Sequence, residues 1–424
     1  MNIKFSLKLN AEVLLAVTIM YLAMYEFLPF LKTIYRPILT LGRIGAIAVF
    51  YLYVLFTSLK TFCRFMAFFI IAFVVNLLAY YHCWCNYETI GNYMIDAMMC
   101  WVYMEIGIFI LRYGSFDLKR SIGNGILLMV CIASITSVIS LRSVPTAVRE
   151  LGNGSMHIKG LEQMLYRRNT LTWGGLNGVT FLLPYVILRI KQDKSPFHLI
   201  CLVLMEYCII RSQITTAIII SVVFLATLFI NKLTTKKLIA IVIIAVILSS
   251  ILMSVIQFLV GYLYEIVSKT DNAVLTLRLS QISKLVSNHE MTGTISGRYD
   301  LYLISLKSFL DNPILGIKLR DSPVFTEIGM HSQLFDLLGA VGIVGFMPLL
   351  LIFCALVHEM NQILKEDMLN GYFILAILML VLLMTINPTW YAQSVYLSSF
   401  LGAVLCIPGS KEMVLVRELD MLAR

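Results

Sequence analysis

The sequence predicts an all-α polytopic integral membrane protein, with about twelve transmembrane helices in a single membrane domain covering residues 1–424. Composition is the first reason: 59% of the residues are hydrophobic and 13% are charged, whereas soluble domains usually carry about 25% charged residues. The second reason is that apolar runs of membrane-spanning length recur along the whole chain. A transmembrane β-barrel is not predicted, because the short alternating segments that it requires do not occur.

The spans follow from successive apolar runs, at roughly 11–30, 38–59, 65–81, 92–111, 121–141, 173–189, 197–211, 213–230, 238–264, 333–357, 371–387 and 392–407. Basic residues set the orientation, since Lys and Arg concentrate in cytoplasmic loops. They cluster before span one, after spans two, four, six, eight and ten, and in the tail, for example at Lys4, Lys60, Arg112, Arg189, Lys236, Lys365 and Arg417. All of these clusters lie on one side if both termini are cytoplasmic. Lys32 and Arg36 are the exception.

This topology leaves two long external loops. The loop 142–172 is net positive, and the loop 267–332, between spans nine and ten, is the candidate catalytic loop, predicted to hold short helices. One helix is predicted to begin near Thr294 or Ser296 and to stop at Asp311-Asn312-Pro313. Its apolar stripe runs through Tyr299, Tyr302, Leu306 and Phe309/Leu310. The segment 313–317 is predicted to touch the membrane surface.

Composition and motifs argue against several classes of function. The net charge is +9, but the basic residues are spread over many short loops, so no nucleic-acid partner is expected. Most of the nine cysteines lie in apolar runs, where they act as small hydrophobic residues. The sequence has no P-loop, dinucleotide fingerprint, H-E-x-x-H motif or metal-ligand cluster. It therefore predicts no metal, no cofactor and no ATP-driven transport.

Three residues are the leading candidates for chemistry. Arg211 lies between two apolar spans and must reach either a water-filled cavity or the headgroups, where it would only snorkel. Arg298 is in the first turn of the predicted loop helix, where a cation is unfavourable for the helix dipole, so it either serves a function other than helix stability or is an ordinary surface arginine. His331 lies at the start of span ten and suits a general base near neutral pH, or else a polar residue making one interfacial hydrogen bond.

Other charged residues add to this group. Arg167 and Arg168, on the external side, break the positive-inside trend and indicate either an anionic ligand or anionic lipid. Glu26, Asp96, Glu105 and Glu206 are acids within spans, interpreted as structural partners of buried donors. Because arginine binds phosphate oxygens in bidentate fashion, the external arginines and His331 together predict a site for a lipid-linked pyrophosphate.

The region from Arg298 to Gly345 resembles the signature of the O-antigen polymerase and O-antigen ligase superfamily. The resemblance lies in Arg298, in Asn312-Pro313-Ile314-Leu315-Gly316-Ile317, in His331, and in the segment 338–345, LGAVGIVG. Arg211 also lies where the family carries a Ser-Arg element. Three departures are visible: Tyr302 replaces the first Leu/Trp, Ser332 replaces the Asn that follows the histidine, and Ser212 follows its arginine instead of preceding it.

The resemblance implies a metal-independent inverting glycosyltransferase at the outer face of the bacterial cytoplasmic membrane, with undecaprenyl-pyrophosphate-linked glycans as donor and acceptor. In that case Arg211 and Arg298 would bind the donor pyrophosphate, and His331 would position or deprotonate the acceptor hydroxyl. Secondary phosphate, glycan or sugar-stacking contacts would come from Arg167, Arg168, Tyr166, Tyr299 and Ser332. Chain-length regulator and flippase proteins would be its protein partners.

Three functions remain open at the level of sequence. The first is a polysaccharide polymerase that joins repeat units, which the lack of a soluble acceptor-binding domain favours. The second is a ligase that moves finished glycan to an acceptor. The third is a lipid-linked glycan flippase, which would place paired functional groups near the middle of the membrane. The distinctive polar residues instead cluster at one face.

Overall fold

The fold is an all-helical bundle. A computed structural model describes residues 2–33, 36–83, 90–144, 146–148, 150, 160–230, 233–234, 237, 261–269, 276–277, 279–280, 294–317, 328–364 and 369–406. The helices used below are α1 (Asn2–Phe27), α2 (Arg36–Thr57), α3 (Leu59–Cys83), α4 (Ile90–Tyr113), α5 (Phe116–Ser140), α6 (Leu161–Asn169), α7 (Trp173–Asp193), α8 (Pro196–Arg211), α9 (Thr215–Ala226), α10 (Thr294–Asp311), α11 (Gln333–Ile363), α12 (Leu369–Ile386) and α13 (Gln393–Leu401). In these described ranges every regular element is a helix.

The prediction of an all-α membrane protein is confirmed at this level. Seven described helices are long and apolar enough to cross a membrane. The count of twelve spans stays a prediction, and so do the positions of the termini. Predicted span nine, 238–264, lies outside the described residues except for its last four positions. One boundary is corrected: α3 begins at Leu59, so Lys60 and Arg64 belong to its first turns and not to a loop.

The buried centre of the bundle is formed by α7 and α13. Every residue of α7 from Gly174 to Leu188 is buried, and α13 packs between α4 and α7. A helix that is apolar all round is expected inside a bundle. These two helices therefore hold the surrounding helices in place.

The acids within the spans have structural partners. Arg43 Nη1 lies 2.8 Å from Asp96 Oδ1. The Tyr103 hydroxyl donates to Glu26 over 2.9 Å, and the Tyr51 hydroxyl donates to Glu105 over 2.6 Å. Buried charges are tolerated when they are paired and hydrogen-bonded. The interpretation of these three acids as structural partners is confirmed.

Hydrogen bonds between helix ends define two ends of the bundle. At one end, Gln333 N, at the start of α11, donates to Asn387 O after α12 over 3.3 Å. Also at this end, Ser394 Oγ, at the start of α13, donates to Gly174 O, at the start of α7, over 2.7 Å. This is called the His331 end. At the opposite end, Glu359, near the end of α11, accepts from Arg64 over 2.7 Å and from Arg112.

Candidate functional site

Helix α10 crosses the start of α11 at the His331 end. It begins at Thr294 and ends at Asp311, so the predicted stop at Asp311-Asn312-Pro313 is confirmed. Two residues of the predicted apolar stripe lie away from the bundle, since Leu306 is 36% exposed and Leu310 is 66% exposed. The buried face instead carries Ser305, which is 0% exposed. A hydroxyl occupies the contact because a buried carboxylate on α11 accepts its hydrogen bond.

The segment after α10 docks on a break in α11. The break lies at Gly342, with φ 58° and ψ −167°. The amides of Ile343 and Val344 donate to Pro313 O over 2.9 Å and to Ile314 O over 3.1 Å. A helix interrupted at this point leaves such amides without their own carbonyl partners, which the docked segment replaces. The segments 312–317 and 338–345, which carry the resemblance, therefore bind each other backbone to backbone.

Two glycines make this docking possible. Gly316 has φ 78°, and a Cβ atom there would lie 2.2 Å from Ala340 O. A Cβ atom on Gly342 would lie 2.4 Å from Ile314 O. Both positions combine a left-handed backbone with backbone atoms too close for any side chain. The side chains of Ile314 and Leu315 are exposed, and their contact with the membrane surface stays a prediction.

Asp336 is the residue that sequence reasoning missed. Its carboxylate is 1% exposed and accepts from Ser305 Oγ over 2.6 Å and from Ser332 N over 3.0 Å. The amide of Gly329 donates to the same Ser305 Oγ over 2.8 Å. A single acidic group thereby fixes the loop 328–332 against α10. Two signals could have found it: the position of an acid in the first turn of an apolar span, and its closeness in sequence to His331.

His331 is half-buried, and one ring nitrogen is already engaged. Its Nδ1 lies 3.1 Å from Gly329 O. A carbonyl oxygen can only accept, so the neutral ring that makes this bond carries its proton on Nδ1 and leaves Nε2 as the basic atom. Burial lowers the pKa of His331 below its ordinary value, and the nearby charge of Arg298 lowers it further, against two backbone hydrogen bonds that raise it. His331 is therefore neutral at pH 7 and able to take a proton.

Arg298 lies close to His331 and Tyr302. Burial raises the pKa of Tyr302, while the charge of Arg298 and a hydrogen bond from it lower that pKa. The Tyr302 hydroxyl donates to Ile386 O over 3.0 Å, so it ties α10 to the end of α12. Arg298 therefore lies near enough to both His331 and Tyr302 for its charge to act on them. Tyr302 stands at one of the departures from the family pattern.

Ser332 and Tyr299, the two other predicted substrate contacts near His331, differ in exposure. Ser332 is 0% exposed, and its Oγ accepts from Phe335 N over 3.2 Å as the N-cap of α11. Tyr299, next to Arg298, is 46% exposed. Ser332 thus caps α11 and also donates to Met384 O over 3.5 Å, while Tyr299 is open to a ligand. Substrate contact by either side chain stays a prediction.

Arg211 ends α8 and reaches towards α5. Its Nη2 donates to Leu141 O over 3.3 Å, and its buried Nε has no hydrogen-bond partner among the described residues. Leu141 directly follows Ser140, whose Oγ bonds to Thr170 Oγ1 over 2.7 Å. Arg211 therefore lies at the His331 end, beside the loop 142–172. Its described hydrogen bond goes to α5 and not to Arg298 or His331, so a single shared site stays a prediction.

Helix α6 carries the remaining candidates. Arg167 and Arg168 are exposed, whereas Tyr166 is only 8% exposed. Tyr166 lines a groove of about 440 Å³ between α5 and α6, together with Thr136, Ile139, Ser140, Ser143, Leu165 and Asn169. Most of the polar groups in this groove are hydroxyls or amides, which suit sugar hydroxyl groups.

An apolar cavity opens beside the first turn of α11. Its volume is about 120 Å³. Its lining comes from α3, α4, α11, α12, α13 and the segment before α13, and includes Ala97, Trp101, Gln333, Leu337, Phe346, Met384 and Trp390. Since Gln333 follows Ser332, this cavity is next to the loop that carries His331.

Comparison with known proteins adds no further assignment. The sequence matches no protein-family model and no curated protein sequence. In the part of the chain that the structure describes, no group of three or more His, Cys, Asp or Glu residues could hold a metal ion. The family resemblance and the expectation of metal-independent chemistry both stay predictions.

Proposed function

We propose that the protein polymerises undecaprenyl-pyrophosphate-linked oligosaccharide repeat units into a surface polysaccharide such as O-antigen, capsule or exopolysaccharide. It would act at the outer face of the bacterial cytoplasmic membrane, as a metal-independent inverting glycosyltransferase. The observation that carries this proposal is that the half-buried His331 lies within the electrostatic reach of Arg298 at the junction of α10 and α11. A base next to a guanidinium suits attack by a hydroxyl with departure of a phosphate.

The reaction assigns one role to each residue. The acceptor hydroxyl oxygen attacks the anomeric carbon of the donor sugar, and its proton passes to Nε2 of His331. The bond from that carbon to the pyrophosphate oxygen breaks, and the polyprenyl pyrophosphate leaves with the electron pair. Attack on the face opposite the leaving group inverts the anomeric centre. Arg298 and Arg211 would stabilise the charge of the leaving pyrophosphate.

Two surfaces near the junction support this substrate class. The apolar cavity beside Gln333 suits part of a lipid tail, because its lining is almost entirely apolar. The hydroxyl-lined groove beside Tyr166 and the exposed Arg167 and Arg168 suit a charged glycan. Both surfaces lie at the His331 end, as a substrate with an apolar tail and a polar head requires.

The direct test replaces His331 and Arg298 separately by alanine in a native host. Each variant is expected to lower polymer synthesis by about 10²-fold or more, in line with removal of a general base or a charged transition-state contact. Lys307→Ala is the matched control, because Lys307 is an exposed cation on the same helix as Arg298. Protein abundance is measured in the membrane fraction for every variant.

The products that accumulate distinguish the alternatives. Accumulated single lipid-linked repeat units support a polymerase, whereas accumulated long lipid-linked chains would assign the protein to ligase chemistry. Unchanged polymer length and amount in both alanine variants, at normal protein abundance, would refute the catalytic assignment. Repeat units trapped on the cytoplasmic side would indicate a flippase.

A further inference from the structure

A second polar pocket lies at the end of the bundle opposite His331. Its volume is about 190 Å³, and it is lined by Phe116, Arg120, Gly123, Asn124, Arg189, His198, Val404 and Leu405. Arg120 and Asn124 are one helical turn apart on α5, so they share one face of that helix. Arg189 comes from the last turns of α7, and His198 from the first turn of α8. The pocket therefore collects cationic and hydrogen-bonding groups from three helices.

Backbone packing forms the apolar side of this pocket. A Cβ atom on Gly123 would lie 3.3 Å from Val404 O, so α5 approaches closely the turn that follows α13. That turn, Gly402–Cys406, packs against both α5 and α7. The pocket is thus built by fixed elements of the bundle.

The charges in the pocket favour an anion. Arg189 Nη2 lies 2.6 Å from Asp193 Oδ2, so this cation is already partly neutralised. Arg120 is exposed and has no carboxylate partner among the described residues. The first turns of α5 and α8 lie at the helix ends that carry partial positive charge. The first turn of α5 also bears Asp117. Asp117 does not line the pocket, whereas Asp193 is paired with Arg189, so Arg120, Arg189 and Asp193 together leave one positive charge at the pocket.

His198 contributes a buried atom that lacks a partner. Its Nδ1 is buried and makes no hydrogen bond to any described residue. Buried polar atoms in native proteins almost always have a partner in the protein or in an ordered water molecule. An orphaned imidazole nitrogen in a pocket with two arginines indicates a ligand that accepts and donates hydrogen bonds, or a protonated ring facing an anion.

We propose that this pocket binds a phosphate-bearing anion at the membrane interface, through Arg120, Arg189 and His198. Basic pockets between transmembrane helices commonly bind the headgroups of anionic lipids. The exposed apolar residues Phe197 and Ile200, which are 56% and 65% exposed on α8 next to His198, would lie against the acyl chains of such a lipid. Free phosphate has the same headgroup chemistry without the chains, so an experiment can separate the two sources. The binding proposed here does not depend on the catalytic proposal.

The test measures lipid binding to the full-length protein. The protein is placed in phosphatidylcholine nanodiscs with or without phosphatidylglycerol, and bound lipid is counted by native mass spectrometry after release. Arg120→Gln and His198→Gln are each expected to weaken phosphatidylglycerol binding roughly fivefold, since a basic residue near an anionic surface contributes about that much. Lys60→Gln removes an exposed charge at the same end, outside the pocket, and should leave the binding unchanged.

Two further arms make the outcome decisive. Asn124→Leu keeps every charge but replaces the hydrogen-bonding amide on the pocket face by an apolar group, so it should weaken binding if the pocket itself holds the headgroup. Inorganic phosphate is titrated into protein in phosphatidylcholine alone, and Arg120-dependent binding there would assign the site to a soluble phosphate. Equal loss in Lys60→Gln and Arg120→Gln, with no effect of Asn124→Leu, would overturn the proposal in favour of diffuse surface charge. No variant-dependent binding of either probe would also overturn it.

Discussion

Two arginine-bearing regions at the His331 end are built in different ways. Arg298 belongs to the junction of α10 and α11, where backbone hydrogen bonds, two glycines and the carboxylate of Asp336 fix the chain. Arg211, Arg167 and Arg168 belong to the ends of α8 and α6, where Arg211 makes one described hydrogen bond, to Leu141 O over 3.3 Å. The first region is preorganised, and the second keeps its cations available.

This difference matches two different tasks. Groups that act on the reacting atoms must be held within a few tenths of an ångström, which favours backbone contacts and buried hydrogen bonds. Groups that bind a charged, variable glycan need reach rather than rigidity, and a surface arginine supplies both length and charge. We therefore expect disruption of the junction to affect activity more than loss of single cations on α6 and α8.

The largest effect is expected from Gly342→Ala. The new Cβ atom would lie 2.4 Å from Ile314 O, at a residue with φ 58°, so the segment 312–317 would have to leave α11. We expect polymer synthesis to fall about 10²-fold or more, because a 1 Å displacement of reacting groups has an effect of this size. The thermal unfolding midpoint of the purified protein should also fall.

Gly297→Ala is the control for this substitution. Gly297 is also near the site and within a helix, but its Cβ atom would meet nothing within 4 Å. It should therefore leave both activity and unfolding midpoint close to wild type. Normal polymer synthesis by Gly342→Ala would show that the docking of the two motif segments does not position the site.

The next largest effect is expected from Asp336→Ala. Without the carboxylate, Ser305 Oγ and Ser332 N lose their acceptor in a buried place, and each orphaned donor destabilises by about 1–3 kcal/mol. The loop that carries His331 would shift, so activity should fall along with the unfolding midpoint. Asp300→Ala, an exposed acid on α10, should change neither. A stable, fully active Asp336→Ala protein would contradict the positioning role of this carboxylate.

Sequence patterns could predict the elements but not the buried face of α10. Apolar run lengths gave the spanning helices, and the Asp311-Asn312-Pro313 stop gave the end of α10, because these signals are local. The buried face is set by Ser305, which packs against Asp336, 31 positions away in the chain. A contact between a hydroxyl and a distant carboxylate has no local periodicity.

In the candidate site too, some features could be predicted from local sequence and others could not. Arg298 and His331 could be predicted to lie near each other, since the motif brings them into one loop and one span. Asp336 is hard to single out in the sequence because it looks like one acid in an apolar run, and its hydrogen bond from Ser305 joins it to a residue 31 positions away. The break at Gly342 is likewise invisible locally, since glycine inside an apolar span is common.

A smaller effect on activity is expected from loss of the cations at the ends of α8 and α6. Arg211→Gln removes a charged donor whose Nε is buried without a described partner, and the loss of one such contact to phosphate lowers activity about 10- to 100-fold. Arg167→Gln and Arg168→Gln, at exposed positions, should each lower it only a few fold. Raising the salt concentration should weaken the contribution of Arg167 and Arg168 to activity more than the contribution of Arg211, because salt screens exposed charges more than buried ones. Equal effects of all three in a polymerisation assay would remove the distinction between them.

The smallest expected effect is a shift of pH dependence. The pKa of His331 lies below its ordinary value, first because of burial and then because of the charge of Arg298. Activity that needs the neutral ring is therefore full at pH 7 and falls only as the pH drops through that lowered pKa, below about 6.5. Arg298→Gln removes the cation and should raise the pKa of His331, so the acid limb of its residual activity should move to higher pH.

Arg298→Lys keeps the charge and should leave the limb in place, even where the rate is reduced. If the limb has the same midpoint in the glutamine variant, in the lysine variant and in wild type, then Arg298 does not act on His331, and the two residues do not form one site.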